Sequence, residues 1–123
     1  QIMVALNIEA VAEAFVFAAR AGVEPARVRE ALMGGFAASR VLEVHGQRMI
    51  DHSFDPGFRI RLHRKDLGLA LDGARELGIS LPNTQATQQL FDRCIAAGDG
   101  DRDHSAIITA LEPVDTRPTG ARG

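Results

Sequence analysis

At 123 residues, 46% of them hydrophobic, the chain is the size of one ordinary domain with enough apolar mass for a real core, which excludes a wholly disordered tail. Its formal net charge of −2, with both signs mixed along the sequence, gives no broad positive field and points to no nucleic acid and no membrane surface as partner. A single cysteine, Cys94, excludes an internal disulfide framework and suits the cytoplasm, and the absence of Trp and Tyr removes aromatic platforms for bases or sugars.

The first helix is expected from residue 1 to about 21, apolar on most faces and therefore covered nearly all round, with Ile2, Leu6, Glu9, Glu13 and Arg20 on one stripe. Asn7, Glu9 and Glu13 interrupt the apolar run, and a charge at the bilayer centre costs roughly 2.5 kcal/mol or more, so a buried helix is favoured over a membrane span. No Ser, Thr, Asp or Asn cap precedes the pattern, so Gln1 is expected to lie inside a longer helix and the chain to be a piece of a larger protein.

Gly22 supplies a stop, and Glu24-Pro25 starts a second helix to about residue 33, with Val28, Ala31 and Leu32 inward and Gly34-Gly35 ending it. A third helix is expected over residues 39 to about 50, placing Val41, Leu42, Val44 and His45 near one face. Asp51-His52-Ser53-Phe54-Asp55-Pro56-Gly57-Phe58 is a turn-rich connector whose two phenylalanines need somewhere to pack. The fourth helix, about 59 to 77, sets Ile60, His63, Leu67, Leu71, Ala74 and Leu77 on a helical period and stops at Gly78. The fifth runs from about 84 to 97 with Leu90, Phe91, Cys94 and Ile95 inward, and Asp103 caps a short last helix from 105 to about 111. Residues 113–123, rich in Pro, Thr, Gly and Arg, are expected to be a flexible tail after a helical domain of residues 1–112. With no strand alternation and no repeat, the fold class is all-α, about six helices around a long central first one.

Several constellations invite a chemical role. The four histidines, His45, His52, His63 and His104, form no H-x-x-x-H pair and lie beside no cysteine pair, so they are expected at the surface or in packing, with no metal site. Glu9 and Glu13, one turn apart, read as helix-face carboxylates rather than an acid/base pair. Gly34-Gly35-Phe36 lacks the strand and the G-x-G-x-x-G spacing of a dinucleotide loop, and the segment from Pro25 to Arg40 is too sparsely basic for a DNA-reading helix-turn-helix. Lys65-Asp66 follows the Phe54 to Phe58 loop by one to two turns, close enough to present an ammonium at a cleft mouth, although such a pair on an amphipathic helix is more often a solvated face.

Taken in order, Val4-Ala5-Leu6-Asn7-Ile8-Glu9-Ala10, Met33-Gly34-Gly35-Phe36-Ala37, Leu42-Glu43-Val44-His45-Gly46, Pro56-Gly57-Phe58, Lys65-Asp66-Leu67, Leu81-Pro82-Asn83-Thr84 and Asp103-His104-Ser105 resemble the C-terminal helical domain of β-hydroxyacid dehydrogenases. Within that family, the Gly-Gly-Phe-Ala and Leu-Glu-Val-His-Gly segments match the branch of 2-hydroxy-3-oxopropionate (tartronate semialdehyde) reductases rather than the 3-hydroxyisobutyrate dehydrogenases. The resemblance implies a nicotinamide-dependent enzyme, using NAD or NADP, that interconverts tartronate semialdehyde and D-glycerate. It implies as partners an N-terminal Rossmann domain of the same protein, a homo-oligomer (dimer or tetramer) and a small hydroxyacid or aldehyde substrate. Gln1 matches the last residue of the family's G-x-x-x-K-x-x-N-Q motif, whose proton-donating lysine and substrate-holding asparagine fall upstream of it, so no catalytic residue is expected in this chain. Lys65 and Phe58 match cofactor-side positions, Asp66 and Ser39 substrate-side ones. Arg64 stands where relatives often carry glutamine, which puts the contacts beside Lys65 in question.

Overall fold

The computed structural model describes residues 1–113, and among these it contains helices and no strand. The helices are α1 (Ile2–Arg20), α2 (Pro25–Leu32), α3 (Arg40–Asp51), α4 (Ile60–Leu77) and α5 (Pro82–Ala96), followed by a 3-10 helix, His104–Ala110. The tail expected at 113–123 lies, beyond Pro113, outside the described residues.

Local chemistry sets the boundaries. Ser39 stands one residue before α3 in extended conformation, and its hydroxyl accepts the Leu42 N–H at 2.9 Å, so it caps the helix expected to include it. Pro82 takes the first position of α5, where its missing N–H costs nothing, and starts the helix two residues before the predicted Thr84. α4 stops at Gly78, whose φ of +71° is open to glycine at no steric cost.

α1 touches every other helix, as expected of a central element. Its buried residues are Ala5, Ile8, Val11, Ala12, Phe15 and Ala18, a face other than the stripe of Ile2, Leu6, Glu9, Glu13 and Arg20. The expectation that α1 is covered nearly all round is corrected: Met3 and Phe17 stand 85% and 77% exposed. By length and composition α1 could cross a membrane, yet its buried stripe forms part of this bundle's core. Ala31 and Leu77, predicted inward, are exposed, each lying in the last turn of its helix where neighbouring elements have fallen away.

The core joins that stripe to Leu42 and Met49 of α3, Ile60 and Leu67 of α4, Phe91 and Cys94 of α5, and Ala106, Ile107 and Ile108. The last three belong to the 3-10 helix, which packs against α1, α3, α4 and α5 although the sequence offers it as a short terminal element. Where α1 meets α3 the approach is close: a Cβ on Gly46 would lie 3.3 Å from the Phe15 ring.

Candidate functional site

The connector between α3 and α4 lies against the segment leading into the 3-10 helix. Backbone bonds run from Asp103 N–H to Phe54 O, His104 N–H to Phe58 O, Ile60 N–H to Arg102 O and Arg61 N–H to Gly100 O, all at 2.8–2.9 Å. Phe54, one of the two aromatic residues in need of a packing site, is buried by this docking. Asp103 locks the two segments together. One carboxylate oxygen accepts the Gly57 and Phe58 N–H groups at 2.9 and 3.0 Å, the other the Ser105 N–H at 3.0 Å and the Ser105 hydroxyl at 2.5 Å. Burial pushes this carboxyl up, but the four hydrogen bonds, with the Ser105 hydroxyl foremost, outweigh it and hold the pKa at about 2.

Above that carboxylate three histidines from three elements converge. His63 of α4 and His104 face one another Nδ1 to Nδ1 at 2.9 Å, His104 Nε2 meets His45 Nε2 of α3 at 3.2 Å, and His63 Nε2 reaches the Gln1 carbonyl at 3.1 Å. Phe58 packs edge-on to both His63 and His104 with ring centroids 5.5 Å apart, and Phe91 lies 5.2 Å from His63 on its other flank. His63 and His104 are buried. Burial lowers the pKa of all three imidazoles, most for His104, which falls to about 4; Asp103 opposes the fall at His45 and His104, and the Gln1 carbonyl and Asp66 oppose it at His63.

His45, His63 and His104 thus sit in packing, one of the two expected surroundings, but they meet one another, which their spacing in sequence did not indicate. His45, Asp103 and His104 bring potential ligand atoms within 4.8 Å of one another. The set does not suit a cation, because Asp103 already accepts four hydrogen bonds and both His104 nitrogens face other imidazoles. Periodicity did place His45 and His63 on inward faces; what it lacked was the partner across the bundle.

The residues singled out by sequence fall in different surroundings. Lys65 is exposed and makes no hydrogen bond or ion pair among the described residues, so its ammonium is available to a phosphate or ribose hydroxyl. It lies two residues beyond His63, about 200° around the helix, so α4 presents Lys65 outward and His63 inward. Asp66 is half-buried beside it. Phe58 is half-buried with its ring against the histidines, and Ser39 is engaged as the α3 cap. No contact among the described residues joins Ser39 to the other three. Arg64 bonds Asp92 at 2.8 Å and so ties α4 to α5, leaving the adjacent Lys65 unhindered.

On the far side of the core a cavity of about 250 Å³ opens between α1 and α3, lined by Phe15, Val16, Met49, Ile50 and Ile108. At its rim His52, which ends α3 at a φ of 48°, bonds both Glu112 carboxylate oxygens at 2.9–3.0 Å.

Comparison with known proteins accords with this architecture. A family model described as NAD-binding of NADP-dependent 3-hydroxyisobutyrate dehydrogenase matches residues 1–111. The 2-hydroxy-3-oxopropionate reductase of Escherichia coli (strain K12) is 62% identical over 112 residues, 91% of this chain and 38% of that protein. A probable mitochondrial 3-hydroxyisobutyrate dehydrogenase-like protein of Arabidopsis thaliana is 34% identical, over 91% of this chain and 34% of its own length. The crystal structure of a 3-hydroxyisobutyrate dehydrogenase from Salmonella typhimurium superposes with a TM-score of 0.84 at 31% identity, over 89% of this chain and 38% of that one. The chain thus spans little more than a third of the relatives it matches, and it belongs to the family of NAD-binding domains of NADP-dependent 3-hydroxyisobutyrate dehydrogenases.

Proposed function

We propose that this chain is the cleft-forming and oligomerising helical domain of a cytoplasmic, nicotinamide-dependent reductase that interconverts tartronate semialdehyde and D-glycerate together with a Rossmann domain of the same protein. The observation that carries this reading is the 62% identity with the E. coli 2-hydroxy-3-oxopropionate reductase, far above the 34% and 31% with proteins named for hydroxyisobutyrate. The sequence holds no G-x-G-x-x-G, so the main nucleotide platform belongs to another domain.

NAD or NADP supplies the hydride when bound. Lys65 fits the cofactor side, as a free ammonium on a rigid helix that can hold a ribose hydroxyl or phosphate. Phe58, whose ring lies against His63 and His104, is the apolar residue that the resemblance assigns to the cofactor side. Asp66 accepts from substrate hydroxyls, and the Ser39 hydroxyl, which accepts from Leu42, keeps its own proton to donate to a substrate carboxylate. Negative charge developing on the substrate oxygen requires a proton donor, a role that the resemblance assigns to a lysine of the family motif. The exposed Met3 and Phe17 suit contact with a further domain or subunit.

The test is kinetic. In the full-length enzyme Lys65→Ala lowers kcat/KM for the cofactor by about 1.5–3 kcal/mol, the scale of a charge-assisted hydrogen bond, and tartronate semialdehyde is reduced in preference to hydroxyisobutyrate-type substrates. Residues 1–123 alone give no turnover with either cofactor. Unchanged cofactor kinetics remove Lys65 from the site; preference for 3-hydroxyisobutyrate or 6-phosphogluconate sinks the substrate assignment, and turnover by the 123 residues alone sinks the division of labour.

A further inference from the structure

The imidazole chain has a direction that hydrogen-bond chemistry fixes from one end. A backbone carbonyl can only accept, so His63 presents Nε2–H to Gln1 O, and in its neutral form its Nδ1 is a bare acceptor. His104 must then donate from Nδ1, which leaves its own Nε2 bare, and His45 must donate to that atom from Nε2. One anchor therefore sets three tautomers, and every proton points toward Gln1. The chain ends at His45 Nδ1, a lone pair that is buried and has no hydrogen-bond partner, 3.8 Å from the nearer Asp103 oxygen.

That end differs from the other two links. A proton added at His45 Nδ1 faces a carboxylate and leaves the Nε2–H···Nε2 bond to His104 intact. A proton added to His104 or His63 instead sets two N–H groups against each other in a buried site beside Phe58. We propose that the His45–His104–His63 chain is a one-proton acid sensor: it takes its first proton at His45 Nδ1 against Asp103, and a second proton breaks the imidazole contacts that join α3, α4 and the 3-10 helix.

The charges facing the chain support this order. His45 has Asp103 before it and Arg48, whose Nε lies 3.7 Å from the same carboxylate oxygen, as the opposing cation. His63 faces Asp66 and the Gln1 carbonyl, and His104 faces Asp103, Arg48 and the two other imidazoles. The device stands on hydrogen-bond geometry and is independent of the reductase reading.

The experiment is a ¹⁵N-imidazole NMR titration of the full 123-residue chain. At pH 8 the expected pattern is a bare Nδ1 on His45 and His63 and a bare Nε2 on His104. On acidification His45 titrates first while His104 Nε2 still shows an accepted hydrogen bond, and the signals of α3 and α4 lose their tertiary dispersion when the second histidine titrates. Arg48→Gln, which leaves Asp103 and its four hydrogen bonds in place, moves the His45 midpoint up. His104 carrying its proton on Nε2 at pH 8, His63 or His104 titrating before His45, or a His45 midpoint unmoved by Arg48→Gln would overturn the proposal.

Discussion

α3 carries two histidines, two turns apart, whose protons obey opposite rules. His45 sits in the buried chain, where its neighbours are imidazoles and a carboxylate already holding four hydrogen bonds, and burial drives its pKa down. His52 sits at the rim of the apolar cavity with both Glu112 oxygens at hydrogen-bond distance, and that carboxylate drives its pKa up. The residue type does not decide the charge; the unfilled hydrogen-bonding capacity of the partner does. Asp103 is saturated by Gly57, Phe58 and Ser105 and acts on His45 as a remote charge, whereas Glu112 accepts directly from His52.

The largest break in this contrast comes from removing the saturated carboxylate. Asp103→Ala strips the acceptor from three backbone N–H groups and a buried hydroxyl, and a buried donor left unmade costs about 1–3 kcal/mol. Allowing for relaxation, the expected loss is roughly 3–5 kcal/mol in chemical denaturation, with Asp103→Asn costing less because one oxygen remains. A loss under about 1 kcal/mol would mean that the loop is held by its backbone bonds alone.

Acid acts next. His104 has a folded pKa of about 4 against an ordinary 6.5, so the folded state binds protons less well than the unfolded one. Its contribution is complete above pH 6.5 and is lost as pH falls toward 4, a change of about 3 kcal/mol. His45 and His63, also lowered, add in the same direction. Denaturation midpoints measured from pH 7 to pH 4 should fall steeply, and His104→Gln should flatten the slope even if it lowers the starting stability.

Much of the fold was legible because its signals are local. Pro25 takes the first turn of α2, where its missing N–H costs nothing, Asp103 accepts the Ser105 N–H, and Gly22 and Gly78 adopt the positive φ that their positions as stops imply, whereas Ser39 was read as helical and proves to be the cap. The series from Ile60 through His63 and Leu67 to Ala74 follows from a single period. Lys65 was legible as a residue but not as a site, since an exposed ammonium looks the same beside a cleft or in open solvent. The histidine chain was not legible because a period names a face and never the partner across it: His45, His63 and His104 are brought together by the docking of residues 54–60 onto 100–104, and that docking depends on Asp103. The burial of the 3-10 helix escaped for the same reason, a short apolar run being indistinguishable in sequence from a terminal fray.

The smallest effect sharpens the comparison most, because its sign is reversed. His52 has a raised pKa, with the Glu112 hydrogen bond the main cause, so the folded state holds this proton more tightly than the unfolded chain. The stabilisation is complete below pH 6.5 and is lost as pH rises through the folded pKa. Side chains 22% and 11% exposed are partly screened, which puts the pair at a few tenths to about 1 kcal/mol. Glu112→Gln removes the charge but keeps an acceptor, so at pH 5.5 it should destabilise by that amount and at pH 8.5 by almost nothing. The same variant leaves the acid-side slope set by His104 unchanged, since no recorded contact joins Glu112 to the buried chain. A cost for Glu112→Gln that grew on going from pH 5.5 to 8.5 would show that His52 is held neutral like His45, and the two histidines would then follow one rule.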